Sequence, residues 1–178
     1  AINRGIERAT GEVIGLMHSD DVFADDEVLA SVAETLARTG ADGVYGDLDY
    51  VSARDPSRRI RRWRSGGYDA RSLRRGWMPP HPTLYLRREV FLRFGTYDTG
   101  FRIAADYDAM LRYLVTGEVR LAYIPRVLVR MRLGGASNRS LANLVQKSRE
   151  DYRAIRRNGV GGAGTLALKN LRKIGQFF

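Results

Sequence analysis

The 178-residue chain reads as an α/β fold. Short apolar runs bounded by turn residues alternate with segments whose apolar positions recur at helical spacing, the order expected of strands and helices layered on a sheet. Glycine follows the helical segments, at Gly11, Gly40, Gly95 and Gly117, as it does where a helix must stop. An adjacent pair of aspartates directly follows the first strand-like run. At about 100–200 residues per domain, the length is that of one domain or most of one.

The elements follow in order. Residues 2–10 (INRGIERAT) are the end of a short helix. The run EVIGLMH, 12–18, is mostly apolar and bounded by turn residues, so it is expected to be a strand buried on both faces. Ser19, Asp20 and Asp21 lie at its C-terminal end. Asp25 is placed to cap a helix whose apolar positions are Val28, Leu29, Val32 and Leu36. GVYGDLDYV, 43–51, is a second strand. RRIRRWR, 58–64, has a strand's length with little apolar content, which predicts an edge strand or a loop. Residues 82–95 read as a strand passing into a short helix. A further helix carries Tyr107, Met110, Leu111 and Leu114. LAYIPRVLVRMRL, 121–133, is a strand in which Pro125 marks an edge or a bend. Residues 140–157 form a basic amphipathic helix, GVGGAG at 159–164 is a hinge, and TLALKNLRKIGQFF is a last short helix.

Composition excludes several chemistries. With no cysteine there is no disulfide framework, thiolate metal site or cysteine nucleophile. The net charge of +10 is unevenly spread: residues 1–51 carry three arginines against eleven carboxylates, while 52–75 carry nine arginines against Asp55 and Asp69. An acidic opening followed by a basic remainder suits an anionic ligand with a cation at the acidic end. Arginine outnumbers lysine 27 to 3, so part of this basicity can equally be a compositional bias.

Two carboxylate positions could carry chemistry. Ligands of open α/β sheets bind at the C-terminal ends of strands, and Asp20 and Asp21 there suit Mg²⁺ or Mn²⁺ shared with a ligand's phosphates. They can also be read as turn residues. In AADYD, 104–108, an acid opening a helix has a local reason in the helix dipole. Held on a rigid helix end, it could also act as a general base.

Taken together and in order, INRGIERATGEVIGLMHSDD, HPTLYLRREVFLRFGTYDTGFRIAADYDAMLRYL and IPRVLVRMRLGGASNRS closely resemble the inverting glycosyltransferases of family 2, most of all bacterial members that build cell-surface polysaccharide. The resemblance runs over essentially the whole chain. It implies the C-terminal part of a GT-A (Rossmann-like) fold, a mixed sheet flanked by helices. Residues 1–136 would form an incomplete catalytic domain, and 137–178 a pair of basic amphipathic helices. The family's first 70–80 residues, with its nucleotide-recognising loop, would precede Ala1, and the chain alone would have little activity.

The same resemblance implies the site residues. Asp20 and Asp21 would hold the metal and the donor's diphosphate, with His18 at the motif's first position as a further ligand, a hydrogen-bond donor or a packing residue. Asp106 would be the catalytic base, with Ala105 where the family usually has glutamate. Trp77 and His81, in GWMPPHPTL, would shape the acceptor pocket, or serve as core and loop residues. Arg132, with Ser137 in RLGGAS, would lie in a loop closing over the diphosphate. The implied donor is a nucleotide-diphospho-sugar and the acceptor a glycan or polyprenyl-linked hydroxyl. The place is the cytoplasm, at the inner face of the plasma membrane, with helix 140–157 and Phe177–Phe178 either touching an anionic bilayer or packing on the domain. A competing reading makes RRIRRWR and the basic helices a nucleic-acid-binding module. The acidic opening and the absence of a nucleic-acid motif speak against it.

Overall fold

The computed structural model describes residues 1–133 and 141–172. Six strands form one mixed sheet: β1 (Val13–Gly15), β2 (Asp21–Phe23), β3 (Gly43–Val51), β4 (Arg59–Trp63), β5 (Tyr85–Arg87) and β6 (Leu121–Arg132), ordered β1-β5-β3-β6-β2 with β4 also on β3. The long strands β3 and β6 run parallel, and the other pairings are antiparallel. One edge of β3 is shared: β5 pairs its start, at Gly43 and Val44, and β4 its end, from Leu48 to Val51. RRIRRWR is therefore an edge strand. β1 is shorter and more exposed than EVIGLMH suggested, because among the described residues it pairs with β5 alone and the chain leaves the sheet at Leu16. β2 was not anticipated from the sequence. Three residues are too few for a periodicity signal.

β6 does not run evenly along β3. It advances from Tyr123 to Val129 while β3 advances only from Tyr45 to Leu48. Pro125, which has no N–H to donate, lies in this irregular stretch, so it marks the bend. Gly46 sits opposite, where a Cβ would come 2.5 Å from Leu128 Cγ and 2.9 Å from the Arg126 carbonyl. Its backbone bonds loops instead of a strand. Gly46 N–H donates to Thr83 Oγ1 (3.3 Å), and its carbonyl accepts from Ser65 Oγ (2.7 Å).

Among the described residues seven helices flank the sheet: α1 (Ile2–Arg8), α2 (Val28–Thr39), α3 (Ala70–Arg74), α4 (Arg88–Phe94), α5 (Ala105–Leu111), α6 (Leu141–Arg157) and α7 (Ala163–Leu171). α5 runs on as a π-turn over Arg112–Thr116. α2 lays Val28, Val32 and Leu36 on Val44, Leu48, Leu128 and Val129 of the sheet. Asp25 is not its cap. One carboxylate oxygen accepts from Glu27 N–H at 3.0 Å and the other pairs with Arg126 of β6. Gly40 does end the helix, at φ 60°. The larger core gathers Ile14, Tyr45, Leu86, Phe91, Tyr107, Met110 and Tyr113.

α6 and α7 belong to that same core, to which they bring Ala154 and Ile155, with Val160 from the turn between them. A buried ion pair joins them: Lys169 Nζ lies 2.7 Å from Asp151 Oδ1 and 3.4 Å from the centre of the Tyr107 ring. α7 also rests directly on Gly76, whose φ is +73° and whose Cβ, were there one, would come 2.3 Å from Lys169 N. Alanine there combines a left-handed backbone with a backbone clash, so Gly76→Ala should lower the unfolding free energy by at least about 2 kcal/mol in urea titration. A loss below about 1 kcal/mol would show that α7 does not dock on this glycine.

Candidate active site

Asp21 opens β2 opposite Met131, at the end of β6. Met131 faces Tyr50 on β3, and Tyr50 faces Arg61 on β4. One row across the sheet thus carries Arg61, Tyr50, Met131 and Asp21, at the C-terminal end of the parallel pair where a ligand is expected. The Arg61 guanidinium lies 3.8 Å from the centre of the Tyr50 ring. Asp21 is 7% exposed and its Oδ2 has no hydrogen-bond partner. Burial pushes its carboxyl above the usual range, His18 opposes this, and Asp20 adds to it. A buried, unpartnered carboxylate oxygen is costly unless a cation or donor arrives. Arg132, the last residue of β6, follows Met131 and is half-buried, with its Nε unpartnered. Residues 134–137, the GGAS of RLGGAS, lie outside the described residues, as do Phe177 and Phe178.

His81 reaches the same place from another segment. It begins a 3-10 turn, His81–Thr83, anchored where the Thr83 hydroxyl lies 3.1 Å from Gly46 O and 2.8 Å from Pro80 O. The imidazole is buried, 2.8 Å through Nε2 from the Tyr97 hydroxyl and 6.1 Å between centroids from the His18 ring. Burial drives its pKa down, Asp106 pulls it partly back, and His18 pushes it down further, so the ring is neutral. Tyr97 is held far above its ordinary pKa, first by burial, then by Tyr113 and Asp106. Both partners of this hydrogen bond are therefore uncharged.

Asp106 lies in the first turn of α5. It is half-buried and close enough to His81 and Tyr97 to act on both. Asp108, the alternative on the same helix, is 1% exposed and accepts from Asn158 Nδ2 at 3.0 Å. It faces α6, not the site. Asp20, Asp21, His18, His81 and Asp106 thus form one chain of neighbours drawn from three separate stretches of sequence.

Trp77 takes the core reading of the two that the sequence leaves open. Trp77 is 4% exposed, its indole N–H donates to Ser65 O at 2.8 Å, and its ring packs on Tyr45 and Tyr68. The indole has no open face for a sugar and instead anchors the segment leading to His81. Among the described residues no three His, Asp or Glu side chains converge to hold a metal. Asp20 is exposed and Asp21 buried, and two such carboxylates would need a diphosphate and water to supply the remaining ligands of Mg²⁺ or Mn²⁺. Tyr97 was missed. Asn3 of α1 pins it at both ends, donating to Tyr97 O (2.8 Å) and accepting from Tyr97 N–H (3.1 Å), a contact across 94 positions that no local pattern signals. An apolar cavity of about 580 Å³ between Leu73, Leu114, Val119 and Val160 lies by the start of β6, away from these residues.

Some of the basic residues are engaged within the chain. Arg62 forms a two-point pair with Asp49 (2.8 and 3.0 Å), Lys147 lies 3.3 Å from Asp151, and Arg157 2.5 Å from Asp98. Among the described residues no helix is long and apolar enough to cross a membrane.

Comparison with known proteins finds glycosyltransferases. Over 140 residues the chain is 29% identical to a PGL/p-HBAD biosynthesis glycosyltransferase of Mycobacterium tuberculosis, covering 78% of this chain and 52% of that protein. Over 121 residues it is 29% identical to an uncharacterized glycosyltransferase of the same organism, covering 63% and 42%. The chain thus spans about half the length of the curated relatives it matches. The crystal structure of S. aureus TarS 1-349 in complex with UDP-GlcNAc superposes with a TM-score of 0.62 at 14% identity, over 89% of this chain and 44% of that one. That likeness carries the fold, which is GT-A. The family model for glycosyl transferase family 2 matches residues 1–104, more than half of the sequence, and the chain belongs to that family.

Proposed function

We propose that the protein transfers a sugar from a nucleotide-diphospho-sugar to an acceptor hydroxyl, with inversion at the anomeric carbon and Asp106 as general base. The observation that most supports this is the continuity of Asp20, Asp21, His18, His81 and Asp106: a place for a diphosphate at one end and a carboxylate at the other. Asp20 and Asp21 would hold Mg²⁺ or Mn²⁺ together with the donor's diphosphate, and the metal would offset charge on the leaving group. Arg132, following Met131, is placed to reach the same phosphates.

Asp106 accepts the acceptor's proton as the hydroxyl oxygen attacks the anomeric carbon. The bond from that carbon to the diphosphate oxygen breaks, and the nucleoside diphosphate leaves with the bonding pair. Neutral His81 matters here. An imidazolium beside Asp106 would pair with the carboxylate and weaken it as a base, whereas the uncharged ring can bond an acceptor hydroxyl and leave Asp106 its charge. TarS is seen with UDP-GlcNAc, so a uridine nucleotide-sugar is the first donor to try. The relatives' role in PGL/p-HBAD biosynthesis supports a cell-envelope glycan or lipid-linked acceptor, met at the cytoplasmic face of the membrane. There the exposed Leu144, Val145 and Arg149 of α6 could rest on anionic lipid.

The test is a panel of nucleotide-sugars assayed for nucleoside diphosphate release with Mn²⁺. Asp106→Asn should reduce transfer about 10³-fold while the Kd for UDP with Mn²⁺ stays within about twofold; normal turnover would remove Asp106 as the base. Asp21→Asn should act on binding and on stability. Because the folded-state pKa of Asp21 lies above the unfolded one, the metal-free protein loses stability as pH rises from the unfolded value through the folded one. In EDTA at neutral pH the variant should therefore melt higher, by about 2 °C. It should also lose the stabilisation that UDP with Mn²⁺ gives the wild type. A lower Tm in EDTA would mean that Asp21 is satisfied without a cation.

A further inference from the structure

We infer that Glu150 is a positioning residue for Asp106, making α6 a working part of the transfer site; the inference rests on the reading of Asp106 as base. Ile103-Ala104-Ala105 leads into α5 with no side chain able to cap it, and Ala104 makes no side-chain cap. A helix start usually takes its cap from a neighbouring Ser, Thr, Asn or Asp. Here the loop just before the helix is held from 46 residues later. Glu150 Oε2 accepts the N–H of Ile103 (2.7 Å) and of Ala104 (2.9 Å), and Oε1 accepts that of Arg102 (3.2 Å). Gln146, one turn earlier on α6, donates to Oε1 at 3.0 Å and fixes the carboxylate. Burial alone would raise the Glu150 pKa, but these N–H groups outweigh it and hold the carboxyl below its usual range, so the group is an anion at neutral pH.

The same face of α6 grips the rest of the loop. Arg153 donates to Gly100 O (3.3 Å) with its guanidinium 4.4 Å from the centre of the Phe101 ring, and Arg157 pairs with Asp98. Beyond Asp106, Asn158 holds Asp108, and the Lys169–Asp151 pair lies against Tyr107. Residues on both sides of Asp106 are thus fixed by α6 and α7, while Asp106 itself faces His81 and Tyr97. A general base must sit within hydrogen-bond reach of the proton it removes, and small displacements of such a group reduce rate far more than binding. Glu150 supplies that placement without touching the substrate.

Amide hydrogen exchange and kinetics test this together. In the wild-type chain the Ile103 and Ala104 amides should be protected. Glu150→Gln, which puts an NH₂ where one of the accepting oxygens stood, should speed their exchange about tenfold or more while β3 amides are unchanged. Turnover is measured as UDP release from UDP-GlcNAc, or on whichever nucleotide-sugar the panel selects. Glu150→Gln should lower kcat about tenfold and leave the donor KM within about twofold. Unprotected Ile103 and Ala104 amides in the wild type would overturn the proposal even if the variant failed to fold. So would a kcat unchanged per folded molecule, or a loss divided between kcat and KM in step with a lower Tm. Asp106→Asn run alongside separates the two ideas: turnover retained there removes the base, while the exchange data report Glu150's hold on the loop independently.

Discussion

The arrangement of this protein hangs on Gly46, at the middle of β3. On the edge of β3 away from β6, Gly46 falls between the stretch that pairs with β5 and the stretch that pairs with β4, and its N–H and carbonyl turn to Thr83 and Ser65. Buried backbone groups must find partners, so this gap fixes two loops to the middle of the sheet. Thr83 holds the turn that begins with His81. Ser65 accepts the Trp77 indole and donates its own N–H to Asp47, which also accepts the Tyr123 hydroxyl. Only glycine allows Leu128 and the Arg126 carbonyl to approach this closely. An irregularity in the sheet is thereby converted into precise placement of a site residue more than thirty positions away.

Electrostatics along the site form a gradient set by burial. Asp21 is a buried carboxyl group whose Oδ2 has no hydrogen-bond partner, and Asp106 is a half-buried one. Between them lies His81, kept neutral by desolvation against the pull of Asp106. Two acidic groups joined by an uncharged, hydrogen-bonded imidazole can serve different chemistry at the two ends. With a protonated imidazole in the middle, each carboxylate would partly neutralise its neighbour instead.

The charge asymmetry takes on a different meaning in the fold. Several arginines and lysines that look like an anion-binding surface are partners for internal acids: Arg62 for Asp49, Arg126 for Asp25, Arg157 for Asp98, Lys169 for Asp151. The amphipathic C-terminal helix, which suggests a detachable membrane or nucleic-acid element when read as a sequence, spends one face gripping the 98–104 loop and another in the main core. Its outward face still carries Leu144, Val145 and Tyr152.

Local chemistry was enough for the long elements. Apolar spacing marked α2 and α6, continuous apolar runs marked β3 and β6, and Gly40 and Gly95 marked helix ends, because each of these signals is carried by neighbours in the chain. Family motifs likewise pointed to Asp20, Asp21 and Asp106 as positions worth watching. The short pieces, β2, α3 and the His81–Thr83 turn, left no such trace, since three to five residues span too little of any period to register. Neither the pinning of Tyr97 by Asn3 nor the hold of Glu150 on the loop before α5 could be read in advance. Each is a contact between residues 46 to 94 positions apart, and which distant groups meet depends on how the whole sheet and its helices pack.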